Sequence, residues 1–171
     1  SLKDFPSLPP VEEDGRTFRA NALKKARAVA QRTARLTIAD DSGLEVDCLH
    51  GKPGVRSARF AGEGASDADN NRKLLRLLEG IPPSQRGAVF RCVIAVVDPR
   101  GKESWVEGTC RGVIGDCERG KKGFGYDPLF IIPEKGKTLA ELPLAAKNRV
   151  SHRGKALAAL KEVLEDFLAL S

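Results

Sequence analysis

The chain has 171 residues, of which 41% are hydrophobic and 30% are charged, and its net charge is +6. This balance is typical of a globular domain with its own apolar core, and it excludes disordered, collagen-like and low-complexity proteins. No apolar run approaches the roughly 20 residues of a membrane span, and no secretory leader opens the chain, so a cytoplasmic protein without a membrane partner is expected. The basic surplus favours phosphorylated ligands or nucleic acid, or else a solvated basic surface.

The first half of the chain predicts one helix and two short strands. Residues 1–16 are expected to be extended, and Thr17 is expected to cap a helix over residues 18–33, where small and apolar residues recur at helical spacing. A short strand over residues 36–39 is predicted to end in an Asp-Asp-Ser-Gly turn at residues 40–43. Alternating apolar residues then predict a half-buried strand over residues 44–48.

The second half predicts another helix, a meander and a last helix. Ser66 opens a helix that ends at Gly80, before a strongly strand-like run over residues 88–97. Returning strands are predicted over residues 103–107 and 109–114, and a buried strand over residues 129–132. Ser151 is expected to cap the final helix. This mixed order of elements predicts an α/β or α+β protein with one cleft.

The first candidate for chemistry is acidic. Glu12, Glu13 and Asp14 precede the first helix, and Asp40 and Asp41 end a predicted strand. Because successive side chains of a strand point to opposite faces, one of the two aspartates is expected to enter a cleft while the other holds the turn. Oxygen ligands without nearby cysteine or histidine suit Mg²⁺. The alternative is a turn of the kind that aspartate and serine favour without any ligand.

Cysteine and histidine offer weaker signals. The four cysteines, at positions 48, 92, 110 and 117, form no C-x-x-C pair, which argues against zinc-ribbon and thioredoxin-like proteins. Reduced structural thiols are expected. A cysteine nucleophile paired with His152 stays open, although no spacing supports it.

Two further segments are candidates for nucleotide binding. In the loop over residues 123–128, glycines flank Phe124, so Phe124 or Tyr126 could stack on a flat base, or the aromatic rings could fill the core. At the final helix, Ser151 places His152 and Arg153 at the end that binds anions. Cations are disfavoured there, which favours a bound ligand, and a capped helix with a solvated first turn is the alternative.

Five segments together resemble one known family. They are EDGRTFRANA (13–22), ADDSGLEV (39–46), PGVRSARFAG (53–62), GFGYDPLF (123–130) and KNRVSHRGKAL (147–157). In this order and spacing they are similar to the inosine/xanthosine triphosphate pyrophosphatase family, which hydrolyses non-canonical purine nucleoside triphosphates to a monophosphate and pyrophosphate. The resemblance implies an elongated central mixed sheet flanked by helices, two lobes with a nucleotide cleft between them, and a homodimer that forms no stable nucleic acid complex.

The resemblance also implies a role for each matching residue. Asp41 would be the catalytic base and, with Glu13, a ligand of Mg²⁺. Phe124 would stack on the purine, and Arg153 would suit its 6-oxo group. The remaining substrate-binding residues would be Ser42, Gly125, Tyr126, Asp127, Lys147 and His152.

The chain departs from the family in two places. The family opens with a strand and a Thr-x-Asn-x-x-Lys loop that grips the triphosphate, so residues 1–171 are expected to be a single, N-terminally incomplete domain. Ala20 stands where the family usually has Glu, whose role would be lost or taken by Glu12 or Glu13. Two other readings stay open: a basic protein that binds nucleic acid or nucleotides without turnover, and an inactive relative.

Overall fold

The structure is a computed structural model that describes residues 8–168, so the part of the predicted extended segment over residues 1–7 lies outside it. Helix α1 spans Phe18–Thr33, and the Thr17 hydroxyl accepts the backbone N–H of Ala20 at 3.1 Å, which confirms the predicted cap. In the described part of the chain three more α-helices follow: α2 at Asp67–Leu77, α3 at Leu144–Val150 and α4 at His152–Leu168. Within the described residues, no helix combines the length and apolarity needed to cross a membrane.

Among residues 8–168, five strands form one sheet in chain order, which confirms the predicted α/β class. They are β1 at Thr37–Val46, β2 at Gly87–Val97, β3 at Glu103–Ile114, β4 at Phe130–Ile132 and β5 at Lys137–Thr138. The pairings among residues 8–168 are antiparallel throughout, where the resemblance implied a mixed sheet. Strand β1 forms an edge of the described sheet.

The predicted turn at residues 40–43 is wrong, because β1 continues through it and pairs with β2 along its whole length. Aspartate and serine favour turns when they bond to their own backbone. Here the side chains of Asp40 and Asp41 have partners on other elements, Arg153 and Asn21 respectively. These tertiary contacts override the local preference. The two carboxylates do lie on opposite faces of β1, as the alternation of a strand requires.

The predicted break between residues 107 and 109 is also wrong, because β3 is one strand of 12 residues. Gly108 lies inside it, and the reason is the close approach of α4. A Cβ on Gly108 would lie 2.2 Å from the carbonyl oxygen of His152 and 2.4 Å from the backbone nitrogen of Ala156. This glycine therefore lets the first turn of α4 pack against the sheet.

The core consists of layers on the two faces of β2. Val93 and Ala95 face α1 and pack with Ala22 and Ala26. The alternate residues, Cys92, Ile94 and Val96, face α4 and pack with its buried residues Ala156 and Leu160. A third cluster joins α2 and β4 to the C-terminal end of β1 and the N-terminal end of β2, which pair with each other. Because β1 pairs with β2 in register, Asp41 faces α1, whereas Asp40 and Ser42 face α4.

Candidate active site

A cavity of about 510 Å³ opens on the α4 side of β1. Its wall includes residues from β1, β2, α2, the 123–128 loop, α3 and α4. All eight residues predicted to bind substrate lie on it: Ser42, Phe124, Gly125, Tyr126, Asp127, Lys147, His152 and Arg153. Residues more than 100 positions apart in the sequence therefore converge on one volume, which has the size of a small-molecule site.

Phe124 is the exposed aromatic ring of this loop. It is 61% exposed, and Lys147 Nζ and Arg153 Cζ each lie 5.3 Å from its ring centroid. Tyr126, by contrast, is buried in the core, and its hydroxyl donates to the carbonyl of Ser57 at 2.9 Å. Of the two aromatic candidates in this loop, Phe124 is the exposed one, and the two cations lie over its ring in cation–π geometry.

Asp127 joins this loop to α3. Its buried carboxylate accepts the backbone N–H of Phe124 at 3.0 Å and the ammonium of Lys147 at 2.5 Å. Helix α3 was not predicted from the sequence, although it carries Lys147. The contact places the Lys147 charge over the Phe124 ring, 5.3 Å from its centroid.

Arg153 is anchored on β1. Its Nη2 donates to Asp40 Oδ2 at 3.0 Å and to Ser42 Oγ at 3.3 Å. The Ser42 hydroxyl in turn donates to Asp40 at 3.2 Å. These contacts use one nitrogen of a guanidinium that carries five N–H donors, so further donors are available to a ligand. Ser151 Oγ accepts the N–H of Gly154 at 3.2 Å, which confirms Ser151 as the cap of α4.

His152 is a neutral side chain rather than the predicted cation. Its ring is 6% exposed and stacks on Phe90 at a centroid distance of 4.6 Å. Burial, with the Arg153 and Lys147 charges next in importance, lowers the pKa of His152 to about 4. Its Nδ1 is buried without a hydrogen-bond partner among the described residues. A neutral imidazole on the cavity wall offers one donor and one acceptor.

The buried histidine predicts how stability depends on pH. The pKa of His152 is about 4 when folded and ordinarily near 6.5, so the unfolded chain binds more protons between these values. Stability should therefore fall as pH drops through this window, by about 3 kcal/mol in full. His152→Phe keeps a ring against Phe90, and it should not show this part of the loss of stability at low pH. Urea unfolding at about pH 7.5 and about pH 4.5 measures it.

The matched control is the surface histidine, His50. His50→Asn suits the left-handed backbone at that position, where φ is +54°. It also removes one histidine, so comparison of the two variants isolates the effect of the buried ring. A His152→Phe variant with the same loss of stability on acidification as the wild type would contradict the prediction.

The predicted carboxylates lie on the other face of β1. Asp41 is buried there, and its Oδ2 accepts a hydrogen bond from Asn21 Nδ2 at 2.9 Å while its Oδ1 accepts the N–H of Ser42 at 3.0 Å. Burial raises the pKa of Asp41, and the bond from Asn21 partly offsets that rise. A carboxylate with a raised pKa is better matched to proton transfer near neutral pH.

Lys25 connects the two predicted metal ligands. Its Nζ lies 2.8 Å from Glu13 Oε1 and 3.7 Å from Asp41 Oδ1. Neither Lys25 nor Asn21 was predicted from the sequence as a site residue. The available signal was their spacing of four residues, which places both side chains on one face of α1.

The carboxylates fit a divalent cation. Glu13 and Asp41 already converge on one cationic nitrogen, that of Lys25, and both present hard oxygen ligands. Across residues 8–168, no group of three or more His, Cys, Asp or Glu side chains could hold a metal. Two carboxylates suit Mg²⁺, which binds proteins through one or two carboxylates and completes its shell with water and substrate phosphates. Asp14 is engaged elsewhere, in a 2.6 Å pair with Lys24.

Comparisons with known proteins agree on one family. The model of the Ham1 family matches residues 1–163. A dITP/XTP pyrophosphatase of Geobacter sulfurreducens is 60% identical over 96% of this chain and 82% of its own length. One of Desulforamulus reducens is 57% identical over the same shares. The Ham1 protein structures of Staphylococcus aureus and Coxiella burnetii superpose with TM-scores of 0.89 and 0.90, at 43% and 44% identity, over 96% of this chain and 84% of theirs.

Proposed function

Because this chain belongs to the Ham1 family, we propose that its cavity holds the base of a non-canonical purine nucleotide while the carboxylates beyond β1 direct hydrolysis. The protein is a nucleoside-triphosphate pyrophosphatase that acts on substrates such as dITP and XTP. The observation that supports these two roles, base binding by the cavity and hydrolysis by the carboxylates, is the arrangement of the site residues around β1. Phe124 and Arg153 lie on one side of this edge strand and Asp41 on the other, so a base and its phosphates can bind across the edge.

Asp41 is the proposed general base. Ionised, it can accept a proton from the water that attacks the phosphoanhydride between the α and β phosphates, and pyrophosphate then leaves. Asn21 and the Ser42 backbone hold the carboxylate from two directions, which fixes its orientation. Lys25 supplies positive charge beside the reacting phosphates.

Glu13 and Asp41 would hold the Mg²⁺. The ion would neutralise phosphate charge and so favour attack by water. Glu13 is the better candidate than Glu12 for the carboxylate missing at Ala20, because Glu13 shares the Lys25 ammonium with Asp41.

Hydrogen-bond donors on the cavity wall would let the protein select its substrates according to their purine base. Hypoxanthine and xanthine carry a 6-oxo acceptor, whereas adenine carries a 6-amino donor. Free N–H groups of Arg153 can pair with the former and would stay unpaired against the latter, at about 1–3 kcal/mol each. The proposal is supported by the short distance between Arg153 Cζ and the centroid of the exposed Phe124 ring, which is 5.3 Å.

Arg153→Ala tests this selection. If Arg153 donates to the 6-oxo group, kcat/KM for ITP should fall by about tenfold to a hundredfold, the range for a bond to a charged group, while the low value for ATP changes little. The ratio of the two kcat/KM values should therefore shrink. Arg149→Ala, which removes an exposed arginine of α3, is the matched control. An unchanged ratio of the two kcat/KM values would show that Arg153 does not recognise the base.

Pyrophosphate release tests the function itself. With Mg²⁺ present, the protein should release pyrophosphate from dITP and XTP much faster than from dATP. Tight, salt-sensitive binding of oligonucleotides without turnover would instead identify a nucleic-acid-binding protein. Homodimer formation and a cytoplasmic location stay predictions, and light scattering measures the first.

A further inference from the structure

The loop that carries Phe124 depends on contacts from outside. Phe124 lies between two glycines in the left-handed region, Gly123 with φ +85° and Gly125 with φ +60°. Fixing a glycine backbone costs more conformational entropy than fixing any other residue. An aromatic ring that is 61% exposed on such a loop is a defined stacking surface only where the loop backbone is held.

Helix α2 holds this loop by both backbone polar groups of Gly125. Asp67 Oδ2 accepts the N–H of Gly125 at 2.6 Å. One turn later, Asn71 Nδ2 donates to the carbonyl of Gly125 at 3.2 Å and to Glu118 Oε1 at 2.8 Å. The partners lie 58 and 54 residues from Gly125 in sequence, so these are tertiary contacts. Asn71 is 3% exposed, and an amide this deeply buried has few alternative partners.

Asp67 is not needed as the cap of its own helix. Ser66 and Asp69 form a complete capping box, in which the Ser66 hydroxyl accepts the N–H of Asp69 at 3.2 Å and the Asp69 carboxylate accepts the N–H of Ser66 at 3.1 Å. Asp67 directs its carboxylate to the neighbouring loop instead. The two acidic residues of this turn therefore have separate tasks, one toward α2 and one toward Gly125.

We propose that Asp67 and Asn71 are positioning residues that hold Phe124 as the surface on which the purine base stacks. The inference rests on the proposed function, because it assigns a base to the Phe124 ring. The two residues act through the Gly125 backbone, so their loss should weaken ligands that carry a base. Ligands that consist of phosphates alone should bind as before.

Calorimetry with two probes, IMP and inorganic tripolyphosphate, tests the proposal in the full chain. Asp67→Ala and Asn71→Ala should each weaken IMP about tenfold, the cost of a lost hydrogen bond, and leave tripolyphosphate affinity unchanged. KM for dITP should rise with IMP Kd, with a smaller change in kcat. In a Phe124→Ala background the same substitutions should have no further effect on IMP, because the surface they hold is gone.

Two variants separate positioning from general stability. Asp69→Ala breaks the capping box on the same turn and should lower Tm without changing IMP affinity. Asp67→Asn keeps an oxygen that can accept the Gly125 N–H and should restore most of the affinity. Unchanged IMP binding in both alanine variants, or an equal loss in Asp69→Ala, would overturn the proposal. A wild type that binds IMP but does not hydrolyse dITP would overturn the proposed function and leave the positioning test standing.

Discussion

Asp41→Asn is expected to lower kcat for dITP by about a hundredfold or more, the usual scale for a lost general base. The amide cannot accept a proton from water at neutral pH, and the substitution also removes one of the two charges proposed to bind Mg²⁺. Substrate binding should survive in part, because Phe124 and Arg153 lie on the other face of β1. Single-turnover hydrolysis and nucleotide binding, measured on the same preparation, separate the two effects.

The same substitution carries a stability cost that must be measured beside the kinetics. Asp41 accepts from Asn21 on one oxygen and from the Ser42 backbone on the other. An asparagine must turn its NH₂ group toward one of these donors. That donor then loses its hydrogen bond, which should cost about 1–3 kcal/mol of stability. Asp47→Asn, the same change at an exposed aspartate paired with Arg111, is the matched control. A kcat for Asp41→Asn within a few fold of the control would contradict the proposed role.

Local sequence signals located helices α1, α2 and α4 but missed α3. Thr17, Ser66 and Ser151 each accept a backbone N–H at the start of a helix, as predicted. Caps depend on residues three apart, so a single segment contains the whole signal. The cavity residues were grouped through the resemblance, since Arg153 and its partner Asp40 lie 113 positions apart.

The misses share one physical cause, which is that a distant contact overrode a local preference. Strand β1 continues through 40–43 because Asn21 and Arg153 satisfy its aspartates. His152 is neutral because the fold buries it against Phe90, which no helix-start pattern reveals. Lys25 is one of many basic residues in the sequence, and the packing of α1 on β1 brings it to the carboxylates.

Removal of divalent metal is expected to abolish pyrophosphate release, and Mg²⁺ should restore it where Zn²⁺ does not. Glu13 and Asp41 offer only carboxylate oxygens, which suit Mg²⁺, whereas zinc sites in proteins are built mainly from thiolate and imidazole ligands. Dialysis against EDTA followed by titration with each ion gives the measurement. Recovery with Zn²⁺ alone would show that the carboxylates have been misassigned.

A pair of adjacent glutamates makes this prediction specific to one side chain. Glu13→Gln removes a proposed ligand, so the Mg²⁺ concentration for half-maximal activity should rise by about tenfold or more, the scale of an altered metal shell. Glu12→Gln is the matched control, because Glu12 is exposed whereas Glu13 shares the Lys25 ammonium with Asp41. The two variants have the same change in net charge, so any general electrostatic effect on Mg²⁺ or nucleotide should be equal in both. Equal Mg²⁺ requirements for the two would refute Glu13 as the second ligand.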